Sequence, residues 1–172
     1  AVLIVQHIAP GFTQGFAEWL AQASALPVGV ARPSETIARG RVYVAPADNH
    51  LMLRPGSVHV VRGPKESGHR PSVDALFRTA SAAYGARVVP VVVTGNLGCG
   101  TAGMMSVKAR GGIAVVQDPA EAIAPSMPSS VARHVAVDHI APLREMPALL
   151  ESLVRSPVRL LETEPPRAIR QL

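Results

Sequence analysis

The sequence is poor in sulfur and in rings. Cys99 is the only cysteine among 172 residues, and Phe, Trp and Tyr together make up 3%. A lone cysteine excludes an internal disulfide framework and fits a reducing compartment, hence a cytoplasmic protein. One cysteine cannot supply a zinc cluster, and His134 and His139 have no metal-ligand context, so neither a metal nor a cofactor is expected. Scarce aromatics leave the core to Val, Ala, Leu and Ile. No apolar run approaches the roughly 20 residues of a membrane span, so no membrane insertion is expected. Ala1-Val2-Leu3-Ile4-Val5 is too short for a signal peptide and lacks a charged lead. There is no P-loop and no G-x-S-x-G elbow. The glycines of the central loop run G-x-x-G-x-G, which is not the dinucleotide fingerprint. No internal repeat or low-complexity segment is present.

What remains describes a folded domain with a basic surface. Hydrophobic residues make up 48% and charged residues 17%, which argues against disorder, and 172 residues suit one domain. The formal net charge of +5 favours acidic partners. The basic residues are scattered, with no aromatic-interleaved patch, which argues against nucleic acid.

The chain is organised around Gly95-Asn96-Leu97-Gly98-Cys99-Gly100. An apolar run precedes this stretch and a helical pattern from Thr101 follows it. Strand, glycine loop and helix in that order place backbone N–H groups at the carboxyl edge of a sheet, where ligands tend to bind. Ala1 to Val5 reads as a buried parallel strand already in progress, which predicts at least one βα unit ahead of Ala1. A helix is predicted over 13–24, capped by Thr13, with Phe12, Phe16, Trp19, Leu20 and Ala23 on its buried face. Strands are predicted over 28–31 and 41–45. Leu51 to Leu53 and Val58 to Val61, joined by Pro55-Gly56, form an antiparallel hairpin. Ser72 caps a helix with Val73, Leu76, Phe77, Ala80 and Tyr84 inward and Gly85 at its end. Pro90 weakens a strand over 87–94. A strand over 113–117, a short helix over 128–133, a strand over 135–137 and a closing helix over 143–153 complete the domain. Strands alternating with helices give a doubly wound α/β fold, with a mostly parallel sheet flanked by helices and one antiparallel hairpin. The domain spans 1–154, and 155–172 reads as a surface tail rich in Pro, Arg and Glu.

Several stretches carry a resemblance. They are Gln6-His7-Ile8-Ala9-Pro10-Gly11-Phe12-Thr13, Val42-Tyr43-Val44-Ala45-Pro46-Ala47-Asp48-Asn49-His50 and Arg70-Pro71-Ser72-Val73-Asp74-Ala75-Leu76-Phe77. The central loop resembles a TGMGxDGAxG stretch, and Gln117-Asp118 and Met127-Pro128 are weaker echoes. In order and spacing these resemble the catalytic domain of the CheB family, the chemotaxis protein-glutamate methylesterases, over roughly 1–153. The resemblance implies a Ser-His-Asp hydrolase acting in signal transduction on glutamyl methyl esters of chemoreceptor cytoplasmic helices. It often comes with an N-terminal receiver domain. His7 falls on the catalytic histidine, Cys99 on the triad Asp, and the backbone N–H of Asn96, where Met is usual, on the oxyanion hole. The nucleophilic serine would precede Ala1, and no residue here matches it.

These departures have chemical weight. A triad carboxylate fixes the histidine tautomer and stabilises the imidazolium, and Asp→Asn in a serine protease costs about 10⁴ in kcat. An un-ionised thiol carries no such charge. Cys99 reads either as a small residue filling space between glycines or as a thiolate favoured by a helix N-terminus and paired with His7. Asp48, Asp74 and Asp118 are the carboxylates that could stand in. Arg70 either pairs a substrate carboxylate or pins its own loop, and His50 either borders the substrate cleft or is a solvated loop residue. His59 and His69 are expected to be exposed, and Ser72 to be a cap rather than a nucleophile. The rival to esterase activity is a catalytically inactive receptor-binding or partner-binding module on the same scaffold.

Overall fold

The computed structural model describes residues 1–157, and most of the expected tail, 158–172, lies outside the described residues. Short β-branched runs form two parallel sheets. In the first, β1 (Val2–Ile4), β2 (Val28–Val30) and β3 (Val42–Val44) pair in the order β1-β3-β2. In the second, β6 (Val91–Val92), β7 (Val115–Gln117) and β8 (His139–Ala141) pair in sequence order. The middle strands β3 and β7 are buried along their whole length, as expected where helices and loops cover both faces. The hairpin of β4 (His50–Arg54) and β5 (Ser57–Val61) is antiparallel, as expected. The anticipated mostly parallel sheet is therefore hydrogen-bonded in two pieces, with the hairpin as a third.

Five helices cover these sheets: α1 (Thr13–Ala23), α2 (Val73–Tyr84), α3 (Thr101–Lys108), α4 (Ser126–His134) and α5 (Met146–Arg155). The centre of the molecule is α2. Ser72 caps it by accepting the Asp74 N–H, and Val73, Leu76, Phe77 and Ala80 are buried as the spacing predicts. Those side chains join Tyr43, Leu51 and Val58 of the first half to Val92, Met104 and Val116 of the second in one core. Gly103 lets α3 approach α2 closely. A Cβ there would stand 2.8 Å from the Phe77 Cβ and 2.9 Å from the Asp74 Cα. A smaller cluster of Val115, Ala141 and Met146 lies under α5.

Three elements differ from expectation. The aromatic spacing finds α1, but Phe12 and Trp19 are 69% and 61% exposed. Only Thr13 and Ala17 are buried, and Thr13 is the first helical residue rather than the cap. Periodicity reports an apolar stripe; it does not report what covers it. The strand expected over 87–94 shrinks to two residues. The Val88 N–H closes a 3-10 turn onto Gly85, and Pro90 has no N–H and offers only its carbonyl, to Val115. The strand expected over 135–137 lies further on, at β8. The Val135 N–H is still bonded to the end of α4, and the Asp138 carboxylate accepts the Ala114 N–H and pairs with Lys108, which sets the register of the last strand.

Two glycine substitutions should move stability in opposite directions. Gly103→Ala should cost about 1–3 kcal/mol by forcing α2 and α3 apart. Gly15→Ala, where a Cβ meets nothing within 4 Å in the middle of α1, should gain about 0.5–1 kcal/mol. Urea denaturation with an unchanged slope measures both, and a Gly103→Ala chain as stable as its parent would contradict the packing described.

Candidate functional site

Three loops meet at the carboxyl ends of the parallel strands. The loop after β1 carries His7, the loop before α2 carries His69, Arg70 and Ser72, and the loop before α3 carries Asn96 and Cys99. The structure brings His7 and Cys99 together with His69: one donor atom from each lies within 4.8 Å of the others. The His7 and His69 rings stack with centroids 3.9 Å apart and planes 11° from parallel. His69, expected to be exposed, is half-buried against His7. Its only signal in the sequence is its place immediately before Arg70-Pro71-Ser72.

Cys99 is fully buried. Its Sγ accepts the Val73 N–H at 3.2 Å and lies 3.4 Å from the Ser72 hydroxyl. The sulfur therefore faces the N-terminus of α2, not that of α3, the helix that follows it in sequence. Burial pushes the thiol pKa up, against the hydrogen bonds from Ser72 and the α2 backbone that favour the thiolate. The thiolate reading from helix position alone is thus outweighed by desolvation. Gly100, at φ +102°, makes the turn into α3, and a Cβ there would meet the Val73 side chain at 3.0 Å.

Burial, and next the neighbouring His69, hold His7 below its ordinary pKa, while Pro71 and Asp74 pull the other way. The balance favours the neutral imidazole. Its Nε2 is buried and has no hydrogen-bond partner among the described residues. None of the three rescue carboxylates bonds to it. Asp74, 3% exposed, accepts the Gly103 N–H and the Ser67 hydroxyl, both at 2.7 Å. Asp48 is tied to Arg70 and Arg62, and the Arg70 guanidinium holds its carboxyl below the usual range. Asp118 turns back onto the Ala120 N–H.

The remaining expected residues divide. Arg70 donates to Asp48 and to the Gly63 carbonyl, so its guanidinium pins the loop before α2. His50 is neither solvated nor on a cleft wall. It is 2% exposed, its Nε2 donates to the Pro64 carbonyl at 2.7 Å, and its Nδ1 accepts the Ser72 N–H. It supports the α2 cap. Ser72, fully buried, is a cap, as expected. Asn96 is exposed, and among the described residues nothing accepts its backbone N–H. Gln117, present in the sequence only as part of the Gln117-Asp118 echo with no role attached, is 1% exposed and accepts the Thr94 N–H at 2.7 Å, fixing the chain where it enters the Cys99 loop.

With the site in view, the comparisons with known proteins fall into place. The sequence model described as CheB methylesterase matches residues 1–150. The chain belongs to the CheB methylesterase family. It is 39% identical over 154 residues to a protein-glutamate methylesterase/protein-glutamine glutaminase of Anaeromyxobacter dehalogenans, covering 90% of this chain and 45% of that protein. It is 37% identical over 159 residues to one of Pyrococcus abyssi, covering 90% and 42%. The chain thus spans less than half the length of these curated relatives. The CheB methylesterase catalytic domain of Thermotoga maritima superposes with a TM-score of 0.81 at 32% identity, covering 89% of this chain and 82% of that one.

Against the CheB pattern TGMGxDGAxG, the loop departs at four places. Asn96 stands at the Met, Leu97 at a glycine, Cys99 at the Asp and Thr101 at the Ala. Leu97 adopts φ +68° and is 66% exposed. A branched side chain in that region carries a steric penalty of about 1–2 kcal/mol that glycine avoids.

Two outcomes check this geometry. Alkylation of Cys99 by iodoacetamide at pH 7 should be at least about tenfold slower in the native chain than in urea, and equal rates would contradict a buried thiol. Asp74→Ala strands the Gly103 N–H and should cost about 1–3 kcal/mol in denaturant titration, and an unaffected midpoint would contradict the bond.

Proposed function

We propose that this chain is the catalytic module of a cytoplasmic protein-glutamate methylesterase, hydrolysing glutamyl methyl esters on chemoreceptor cytoplasmic helices in chemotactic adaptation. The observation that carries the reading is the His7 imidazole, brought within 4.8 Å of the Cys99 sulfur at the strand rim, in a chain of this family. His7 acts as general base. It takes the proton of a serine hydroxyl as the oxygen adds to the ester carbonyl, then returns it to the departing methanol, and water releases the acyl group as carboxylate. The Asn96 N–H, which has no acceptor among the described residues, donates to the carbonyl oxygen as it becomes an oxyanion. The net charge of +5 suits an acidic helical substrate. A receiver domain ahead of this module in the same chain is a further proposed partner.

A second reading has its own support. The position where the pattern calls for a carboxylate holds a buried thiol whose pKa is raised. On that reading the module binds receptor without turning it over.

Methanol release from methylated receptor separates the two. The chain is extended ahead of Ala1 by the serine-bearing βα unit of a relative, and measured with Cys99 and with Cys99→Asp. On the esterase reading Cys99→Asp raises the rate by up to about 10⁴, and His7→Ala removes the gain. Receptor binding without any gain favours the binding module.

A further inference from the structure

We propose that His7, His69 and Cys99 form a zinc(II) site. The sequence gives no metal-ligand spacing, because the three residues lie on separate loops and the cysteine is single. The fold supplies the cluster instead, with one donor atom from each residue inside a 4.8 Å circle. Zinc takes Zn–S of about 2.3 Å and Zn–N of about 2.0–2.1 Å, so a tetrahedral ion needs its donors about 3.3–3.7 Å apart. The separations reach at most 4.8 Å, about 1 Å more than that, so binding requires the stacked rings to turn toward the sulfur.

Each donor is prepared in a different way. His69 directs Nδ1 at the Ser67 carbonyl, 2.7 Å away, so Nδ1 carries the proton and the lone pair lies on Nε2. A backbone carbonyl thus orients this imidazole, as it does many zinc-bound histidines, and the Ser67 hydroxyl, donated to Asp74, holds that turn in place. His7 keeps Nε2 buried and unpartnered among the described residues, an arrangement that costs free energy until the atom finds a donor or a cation. Cys99 already accepts the Val73 N–H and faces the Ser72 hydroxyl, two donors that stabilise a thiolate. On binding, the S–H bond breaks, the Zn–S bond forms and the proton goes to buffer. One thiolate and two imidazoles suit zinc rather than magnesium or calcium. Three protein donors leave the fourth tetrahedral position to water or a substrate oxygen, the pattern of catalytic rather than structural zinc. A zinc ion on the His7 Nε2 would take the lone pair that general-base chemistry uses, so the two states of His7 exclude one another.

This inference does not rest on the esterase reading, and its test contains no ester. The full 172-residue chain, untagged and stripped with chelator, is titrated with zinc by calorimetry and with cobalt(II) by absorbance. The expected result is one zinc per chain with Kd tighter than about 10 µM. With cobalt, a thiolate-to-metal charge-transfer band appears together with tetrahedral d–d bands. Cys99→Ser should abolish the charge-transfer band and weaken zinc at least tenfold. His69→Ala, on an outer loop, should also weaken zinc at least tenfold, and it decides the matter if Cys99→Ser does not fold by circular dichroism. Binding weaker than about 10 µM, cobalt spectra without a thiolate band, or zinc affinity unchanged in His69→Ala would each overturn the site.

Discussion

Two helices cap one another at the heart of this molecule, and the positions of the candidate site residues depend on that exchange. The first turn of α2 needs acceptors for its free N–H groups, and one of them, that of Val73, is met by the sulfur of Cys99 in the loop leading to α3. The first turn of α3 has the same need. Its own cap, Gly100, has no side chain to offer, and the Gly103 N–H is met by the Asp74 carboxylate from α2. Each helix end is completed by a residue belonging to the other. Contacts of this kind are short-range and directional, so they fix the Cys99 loop against α2 within a few tenths of an ångström. Apolar packing alone would not.

The polar residues around this exchange serve it in turn. His50 holds the Ser72 backbone, Ser72 holds the Asp74 backbone, and Ser67 and Gly103 hold the Asp74 side chain. Arg70, spent on Asp48 and Gly63, keeps the preceding loop in place. Residues that look chemically active in isolation thus act as supports, and the unsupported ones stand out. Those are the His7 Nε2 and the Asn96 N–H, each without a partner among the described residues.

Much of the fold could be read from the sequence because it rests on local rules. Ser72 followed by Val73, Leu76, Phe77 and Ala80 defines a capped amphipathic helix whatever surrounds it, and Pro55-Gly56 defines a hairpin. The glycine loop after an apolar run placed Cys99 at a strand rim. What could not be read depends on partners distant in sequence. The exposed side of α1, the two-residue length of β6 and the register of β8 are set by what covers Trp19, by the carbonyl of Pro90 and by Asp138. The site divides in the same way. His7 and Cys99 follow from motif and topology, whereas the stacking of His69 on His7, the burial of His50 and the direction of the Cys99 sulfur are tertiary facts with no local pattern.

The two parallel sheets share no hydrogen bond, and α2 is the wedge that binds them through side chains. Backbone ladders resist opening strongly; a packed seam yields at lower free energy. His7 hangs from one sheet and Cys99 from the other, so the meeting of imidazole and sulfur rests on the core shared around α2 rather than on a backbone ladder.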